Sequence, residues 1–454
     1  MTTTWDRRRA THLYLRAGFG ARPDELDEAL SLGREGTISR LVDYDAIPTA
    51  ELEAYLDFNT EASDLDGYSD VPYDRFGNLL RWWYLRMQHT PRPLEERMTL
   101  FWHNHFATSI NKVEAPQLMY AQNQIFRTLG MAHFADLLLA VSRDPAMLIW
   151  LDNASNIKDA PNENFAREVM ELFTMGVNRY GQQDVTEAAR AFTGWTIDPE
   201  HNNRFVFNPD FHDDGAKTFL FNRGFFKGED IIAILAARPE TASFITAKLA
   251  RFFLGGDPSP ALSQRLQSLY TSTSGNIREV VREILRSDDF DATADTPDKI
   301  KSPAELFVHQ RRVLGARDDP GGWVSWPEAM GEALFRPPNV GGWKGGQSWI
   351  HTGAYLLRVN IAFNIMTQPS RSGDRLMWEI SRVFEDRAFG SPTELIDFLL
   401  DRFNVIAPSA SLRESLRALF AGAGDPSTWD RGWYDYWGRM AAFLVMSSPE
   451  YQLQ

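Results

Sequence analysis

Apolar residues recur along the chain at steps of three and four, broken by short polar or Gly/Pro-rich stretches, and that period predicts helices. Residues 5–15 read as a short amphipathic helix stopped near Gly18 and Gly20; residues 23–32 read as a second, with Pro23 at its start and Gly33 after its end. Residues 55–74 are acidic and loop-like and end in Val71-Pro72. The 75–88 segment carries Trp82, Trp83, Tyr84 and Met87, so at least one face of it is buried, and Pro91 and Pro93 end it. Further helices are predicted at 93–107, 115–129, 131–141, 162–175, 184–193, 229–237, 240–254, 276–287 and 303–314, then at 351–366, 393–403, 409–420 and 430–446.

Local signals sharpen several starts. Ser302-Pro303-Ala304-Glu305 has a capping serine, proline in the first turn and a glutamate that closes the box, and Ser391-Pro392-Thr393-Glu394 repeats the device. Asp184-Val185-Thr186-Glu187 is a variant with aspartate as the cap. Two stretches break the helical period. Phe205-Val206-Phe207 and Thr218-Phe219-Leu220 flank a polar turn and predict a β-hairpin, whereas 335–349, with Gly and Pro pairs and two tryptophans, is irregular. The expected fold is therefore mainly α, a multi-helix bundle with one small β-hairpin near 204–220. Candidate linkers at 290–301 and 367–376 are neither long nor low in complexity, so the chain reads as one helical body, a main domain 1–366 with the hairpin inserted and a C-terminal helical extension, 377–454, packed on it.

Composition narrows the function. The chain of 454 residues carries a net charge of −14, which disfavours DNA or RNA as a partner because counterion release needs clustered Lys and Arg. Cysteine is absent, which removes disulfides, thiolate metal sites and a cysteine nucleophile. Arg7-Arg8-Arg9 is followed by Thr11, His12 and Arg16 rather than by an apolar run, so no signal peptide is read and a cytoplasmic location is expected. No run approaches the length of a membrane span.

The candidate chemistry lies between Phe101 and Trp195, where histidines, carboxylates and amides crowd together. His103-Asn104-His105 shares its letters with a nuclease motif, but there the residues are dispersed over a small metal-binding fold, and this chain is acidic. On a helix, positions two apart point about 200° from each other. His105 then falls with Met98, Phe101 and Trp102 in the core, His103 falls with Glu96 and Thr99 towards a surface or interface, and at most one of them lines a site. A carboxylate among Glu163, Glu168 and Glu171 is the expected partner for His105.

Glu163, Arg167 and Glu171 form an i, i+4, i+8 stripe, which alone is a solvated salt-bridge ladder. Asn162 and Asn164 add amides on the same side, and Asp152, Asn153 and Asn156 before them add more, which weakens that reading and suits a metal or polar ligand as the alternative. Glu168, Glu171 and His105 are the catalytic candidates. Glu163, Glu168 and His103 are the candidate ligands of a divalent metal such as Mg²⁺, Ca²⁺ or Mn²⁺, or of Zn²⁺ with one histidine. Asn153, His212, Lys217, Asn339 and Trp343 are candidate substrate contacts, with Trp343 and Trp349 offering a stacking face to a sugar or plugging the core.

Seven motifs occur in order. They are Arg16-Ala17-Gly18-Phe19-Gly20, Phe101-Trp102-His103-Asn104-His105-Phe106, Ser142-Arg143-Asp144-Pro145-Ala146-Met147-Leu148 and Pro161-Asn162-Glu163-Asn164-Phe165-Ala166-Arg167-Glu168, then His212-Asp213-Asp214-Gly215, Lys301-Ser302-Pro303 and Pro337-Pro338-Asn339-Val340-Gly341-Gly342-Trp343. Together they resemble the bacterial family called domain of unknown function 1800 over nearly the whole chain. The resemblance implies one full-length unit and, since members are often encoded beside a sulfatase-like protein, a sulfatase-like partner. It implies no activity and no cofactor. Members often look exported, a habit from which this chain departs. The residues themselves suggest a hydrolase with a His/carboxylate site, metal-assisted or not, acting on a polar or sugar-like substrate. The alternative is a non-catalytic saccharide-binding or scaffold protein.

Overall fold

The computed structural model describes residues 4–60, 72–201, 203–316, 324–367, 383–384 and 387–454. It is mainly helical, with two small antiparallel hairpins. The first helix, Arg7–Ala17, is capped by Asp6, whose carboxylate accepts from the Arg9 N–H at 2.9 Å. Pro23–Val42 breaks where the sequence places a stop: Gly33 has φ 70°, and a second helical stretch continues beyond it. Thr37 closes the break by donating to the Gly33 carbonyl at 2.7 Å. The segment expected to be loop-like at 55–74 is helical at both ends, in Ala50–Thr60 and Pro72–His89, while 61–71 lies outside the described residues.

The capping box at Ser302 forms as expected. The Glu305 N–H donates to Ser302 Oγ at 3.2 Å, and the Ser302 N–H donates to Glu305 Oε2 at 2.8 Å. Asp184 is different. The helix there is Gln182–Ala191, capped at Gly181, and Asp184 accepts the Gly181 N–H at 2.8 Å from the third helical position instead of acting as the cap.

The two predicted strand segments are strands, but each pairs outward. Arg204–Phe207 pairs with Trp195–Asp198, and Lys217–Phe219 pairs with Asn222–Gly224. The polar stretch between them is committed elsewhere. Arg190 grips Asp213 at 2.7 Å, and Lys217 Nζ donates to the carbonyls of Asp213 (2.5 Å) and Gly215 (3.0 Å), so the turn folds against the Gln182–Ala191 helix.

Among the described residues three apolar clusters fill the interior. The largest gathers Phe101, Trp102, Phe106, Phe165 and Phe173; a second gathers Trp83, Tyr84, Phe307 and Phe335; the third gathers Val313, Ile361, Leu395 and Val445. The Pro303–Val313 helix feeds both smaller clusters, through Phe307 on one side and Leu306 and Val313 on the other. The proposed linker at 290–301 is tied down: Asp288–Thr293 is helical, and the Lys301 N–H donates to the Gln452 carbonyl at 2.9 Å. Of the second proposed linker, 368–376 lies outside the described residues. Among the described residues no helix is long and apolar enough to cross a membrane.

Candidate functional site

The carboxylates of interest sit on one helix that changes type midway. Asn162 caps Glu163–Glu168, and the chain continues as a π turn, Val169–Thr174. Thr174 Oγ1 bonds back to the Val169 carbonyl at 2.7 Å across the widened turn. Such turns recur at functional sites because they re-aim neighbouring side chains.

Glu163 stands on the outer face and is fully occupied. It accepts from Thr186 Oγ1 and Gln182 Nε2, both at 2.8 Å, and from Arg167 at 3.2 Å. The bonds from Thr186 and Gln182 hold its carboxyl below the usual range. For Glu163 the salt-bridge ladder is therefore the fitting description. Glu168 and Glu171 are half-buried. Glu171 accepts from the Tyr180 hydroxyl, and burial followed by that bond pushes the Tyr180 phenol up to about 12. The Glu168 carboxylate accepts no hydrogen bond from any described residue, and burial, then the charge of Glu171, raises its pKa.

His105 lies at the carbonyl end of the same helix. Its Nε2 is 3.1 Å from the Phe173 carbonyl and its Nδ1 is 2.8 Å from Lys248 Nζ. Only one tautomer satisfies both: Nε2–H donates to Phe173, and Nδ1 accepts from the ammonium. Burial, reinforced by Lys248, pushes the imidazole pKa well down; burial and then Arg251 lower Lys248 to about 8. The partner of His105 is thus a cation, not Glu163, Glu168 or Glu171 as the sequence suggested.

Beside this pair opens a cavity of about 390 Å³, lined by Met175, Arg179, Glu240, Ser243, Phe244 and Arg251. Phe244 is the wall between cavity and pair, with Lys248 Nζ 5.2 Å from its ring centre and the His105 ring at 6.3 Å. Lys248, Tyr180 and Arg179 escaped the sequence reading. Lys248 is one more polar position on an amphipathic helix, Pro239–Leu254, and nothing in its spacing marks it.

His103 goes elsewhere, and it is buried rather than at a surface. Its Nε2 accepts from the Phe335 N–H at 3.0 Å, its ring packs on Trp83 and Phe335, and burial lowers its pKa to about 3. Among the described residues no group of three or more His, Asp or Glu is placed to hold a metal ion, so Glu163, Glu168 and His103 are not assembled as one ligand set.

The remaining candidates are engaged by the fold. Asn153 is buried, donating to the Trp195 carbonyl at 3.3 Å and accepting from Asn156 at 3.1 Å. His212 Nδ1 lies 2.8 Å from the Thr193 carbonyl, and Lys217 staples its own turn. Asn339 accepts from the Gly341 N–H at 2.9 Å in an exposed turn. Trp343 and Trp349 are only 8% and 6% exposed, so neither offers an open stacking face. Trp343 is held by Asn104, which accepts from its N–H at 2.7 Å.

Compared with known sequences, residues 12–453 match the model of a family described as protein of unknown function (DUF1800). No curated protein and no solved structure matches the chain.

Proposed function

The chain belongs to the DUF1800 family, and we propose that it is a hydrolase of polar substrates whose reacting groups are Glu168 and Glu171. The observation that carries this is the contrast between the two carboxylates. Glu168 is half-buried, accepts no hydrogen bond among the described residues and holds its proton more tightly than usual, while Glu171, three positions on, accepts from Tyr180. Paired carboxylates in unlike environments divide into acid and base. Glu168 donates its proton to the leaving group, Glu171 takes a proton from the attacking water, and Arg179, which lines the cavity beside the His105–Lys248 pair, holds a polar or anionic part of the substrate. The Lys248–His105 pair positions this machinery by fixing the end of the helix that bears it. A metal-assisted version would build on Glu168, which has free oxygens, and would draw its remaining ligands from substrate or water. A sulfatase-like partner, which the family resemblance implies, and a cytoplasmic location are parts of the same proposal.

The test is a panel of chromogenic esters, glycosides and phosphate esters, assayed with the parent chain and with Glu168→Gln and Glu171→Gln. Hydrolysis is expected to fall by about 10²–10⁴ in each variant at unchanged melting temperature. Turnover that survives both substitutions removes these residues from the reaction.

A further inference from the structure

The second hairpin ends in a turn that its own sequence disfavours. Lys217–Phe219 connects to Asn222–Gly224 through Leu220 and Phe221, whose φ values are 44° and 68°. Two-residue turns of this kind prefer Asn and Gly, because large side chains are strained in the left-handed region. Leu220 is buried, so packing offsets its strain. Phe221 is 97% exposed, so packing against the described residues does not offset its strain. Phe225, just beyond the hairpin, is 78% exposed. Strain together with an unburied aromatic ring is an outlier from which function is the reasonable inference.

The charge around the tip points to the partner. Residues 217–227 contain Lys217, Arg223 and Lys227 and no Asp or Glu, in a chain whose net charge is −14. Arg223 and Lys227 are exposed. The carboxylates behind the tip are occupied with its backbone: Asp184 accepts from the Leu220 N–H at 2.8 Å and Glu187 from the Thr218 N–H at 3.0 Å.

We infer that this hairpin is a membrane-contacting tip, in which Phe221 and Phe225 enter the interfacial layer of an anionic bilayer while Arg223 and Lys227 meet lipid headgroups. Aromatic rings with adjacent basic residues suit that layer. A convex tip with a fully exposed ring needs no matching pocket to bury it in lipid, as it would on a protein. The acidic remainder of the chain does not forbid the approach, because charges more than about 8 Å from the surface are screened at physiological ionic strength.

Co-sedimentation of the full chain with vesicles tests this, using phosphatidylcholine alone and phosphatidylcholine with about one third phosphatidylserine. The parent chain is expected to sediment with the phosphatidylserine vesicles, less so at high salt and less with phosphatidylcholine alone. Phe221→Gly is expected to lower the partition coefficient about tenfold while holding or raising the melting temperature, since glycine fits the turn. Arg223→Gln with Lys227→Gln should remove the dependence on phosphatidylserine. Phe221→Asn, which also tolerates the turn, serves as the second variant if the glycine form does not fold. Sedimentation unchanged by both Phe221 variants overturns the inference. So does failure of the parent chain to bind phosphatidylserine vesicles at low salt, an outcome that points to an acid-rimmed apolar pocket on a protein as the partner of the tip.

Discussion

His103 and His105 are two positions apart on one helix and serve different neighbours. His103 accepts a backbone N–H from the irregular 335–349 segment, and His105 links the end of the π turn to Lys248. Both must be neutral to do so, and burial enforces it. The consequence for stability has a definite sign. An unfolded histidine takes up its proton below about pH 6.5, whereas folded His103 holds off until about 3. Its contribution is therefore fully present above pH 6.5 and is lost progressively as pH falls towards 3, by about 1.4 kcal/mol per pH unit. Asp144 and Glu332, raised to about 7 by burial, pull the other way between pH 4 and 7, so the slope of the parent chain alone is not diagnostic. His103→Gln keeps an acceptor for the Phe335 N–H and does not titrate. Its stability relative to the parent, from urea unfolding, should improve by about 1–2 kcal/mol between pH 7 and pH 5.5. An unchanged difference would show that His103 is not buried as a neutral acceptor.

At the scale of elements, the docking of the 335–349 segment turns on Asn104. Its side-chain oxygen accepts the Trp343 N–H and its amide donates to the Trp343 carbonyl at 3.4 Å, so it pairs with one residue of the loop as a strand would. A Cβ on Gly342 would meet the Asn104 backbone oxygen at 2.4 Å, so only glycine permits the approach. Asn104→Ala is expected to cost about 1–3 kcal/mol and to open the Gly341–Gly346 region to limited proteolysis, with the rest of the chain remaining resistant. Cleavage at the parent rate would mean that Phe335 and the tryptophans hold the segment without it.

Helices like the one bearing Asn104 were legible because burial imposes a period and caps have chemical requirements, as Ser302 and Glu305 show. The hairpin pairing was not, since whether Phe205–Phe207 meets 218–220 or Trp195–Asp198 depends on Arg190 and Asp213 fixing the turn. Of the candidate site, Glu168 and Glu171 drew attention in the sequence through nearby amides such as Asn164, yet in the fold Asn164 donates to the Leu151 carbonyl and not to either carboxylate. Lys248 could not be read, because its partner lies 143 positions away and only the fold makes it unusual.

The molecule as a whole is joined through buried charge. Glu305, at the start of the Pro303–Val313 helix, receives Arg97 at 2.6 Å from the helix that carries His105, Lys299 at 3.3 Å, and the Gln454 side chain at 2.7 Å. Arg97 also donates to the Arg16 carbonyl at 3.1 Å, bringing in the first helix. Burial alone would raise the Glu305 pKa, but Arg97 and then Lys299 outweigh it and hold the carboxyl down to about 2. Removing one partner from such a pair leaves a charge in the interior, whereas removing both leaves a site that apolar groups can fill. Arg97→Met is therefore expected to destabilise by about 3–5 kcal/mol. Arg97→Met combined with Glu305→Leu should lose less than the sum of the single changes, with a coupling of about 2 kcal/mol or more in a double-mutant cycle. Lys299 does not spoil the comparison, because burial already brings its pKa to about 7 and it can discard its proton once Glu305 is gone. Additive losses would mean that the helices are held together by their apolar clusters, with the ion pair contributing nothing of its own.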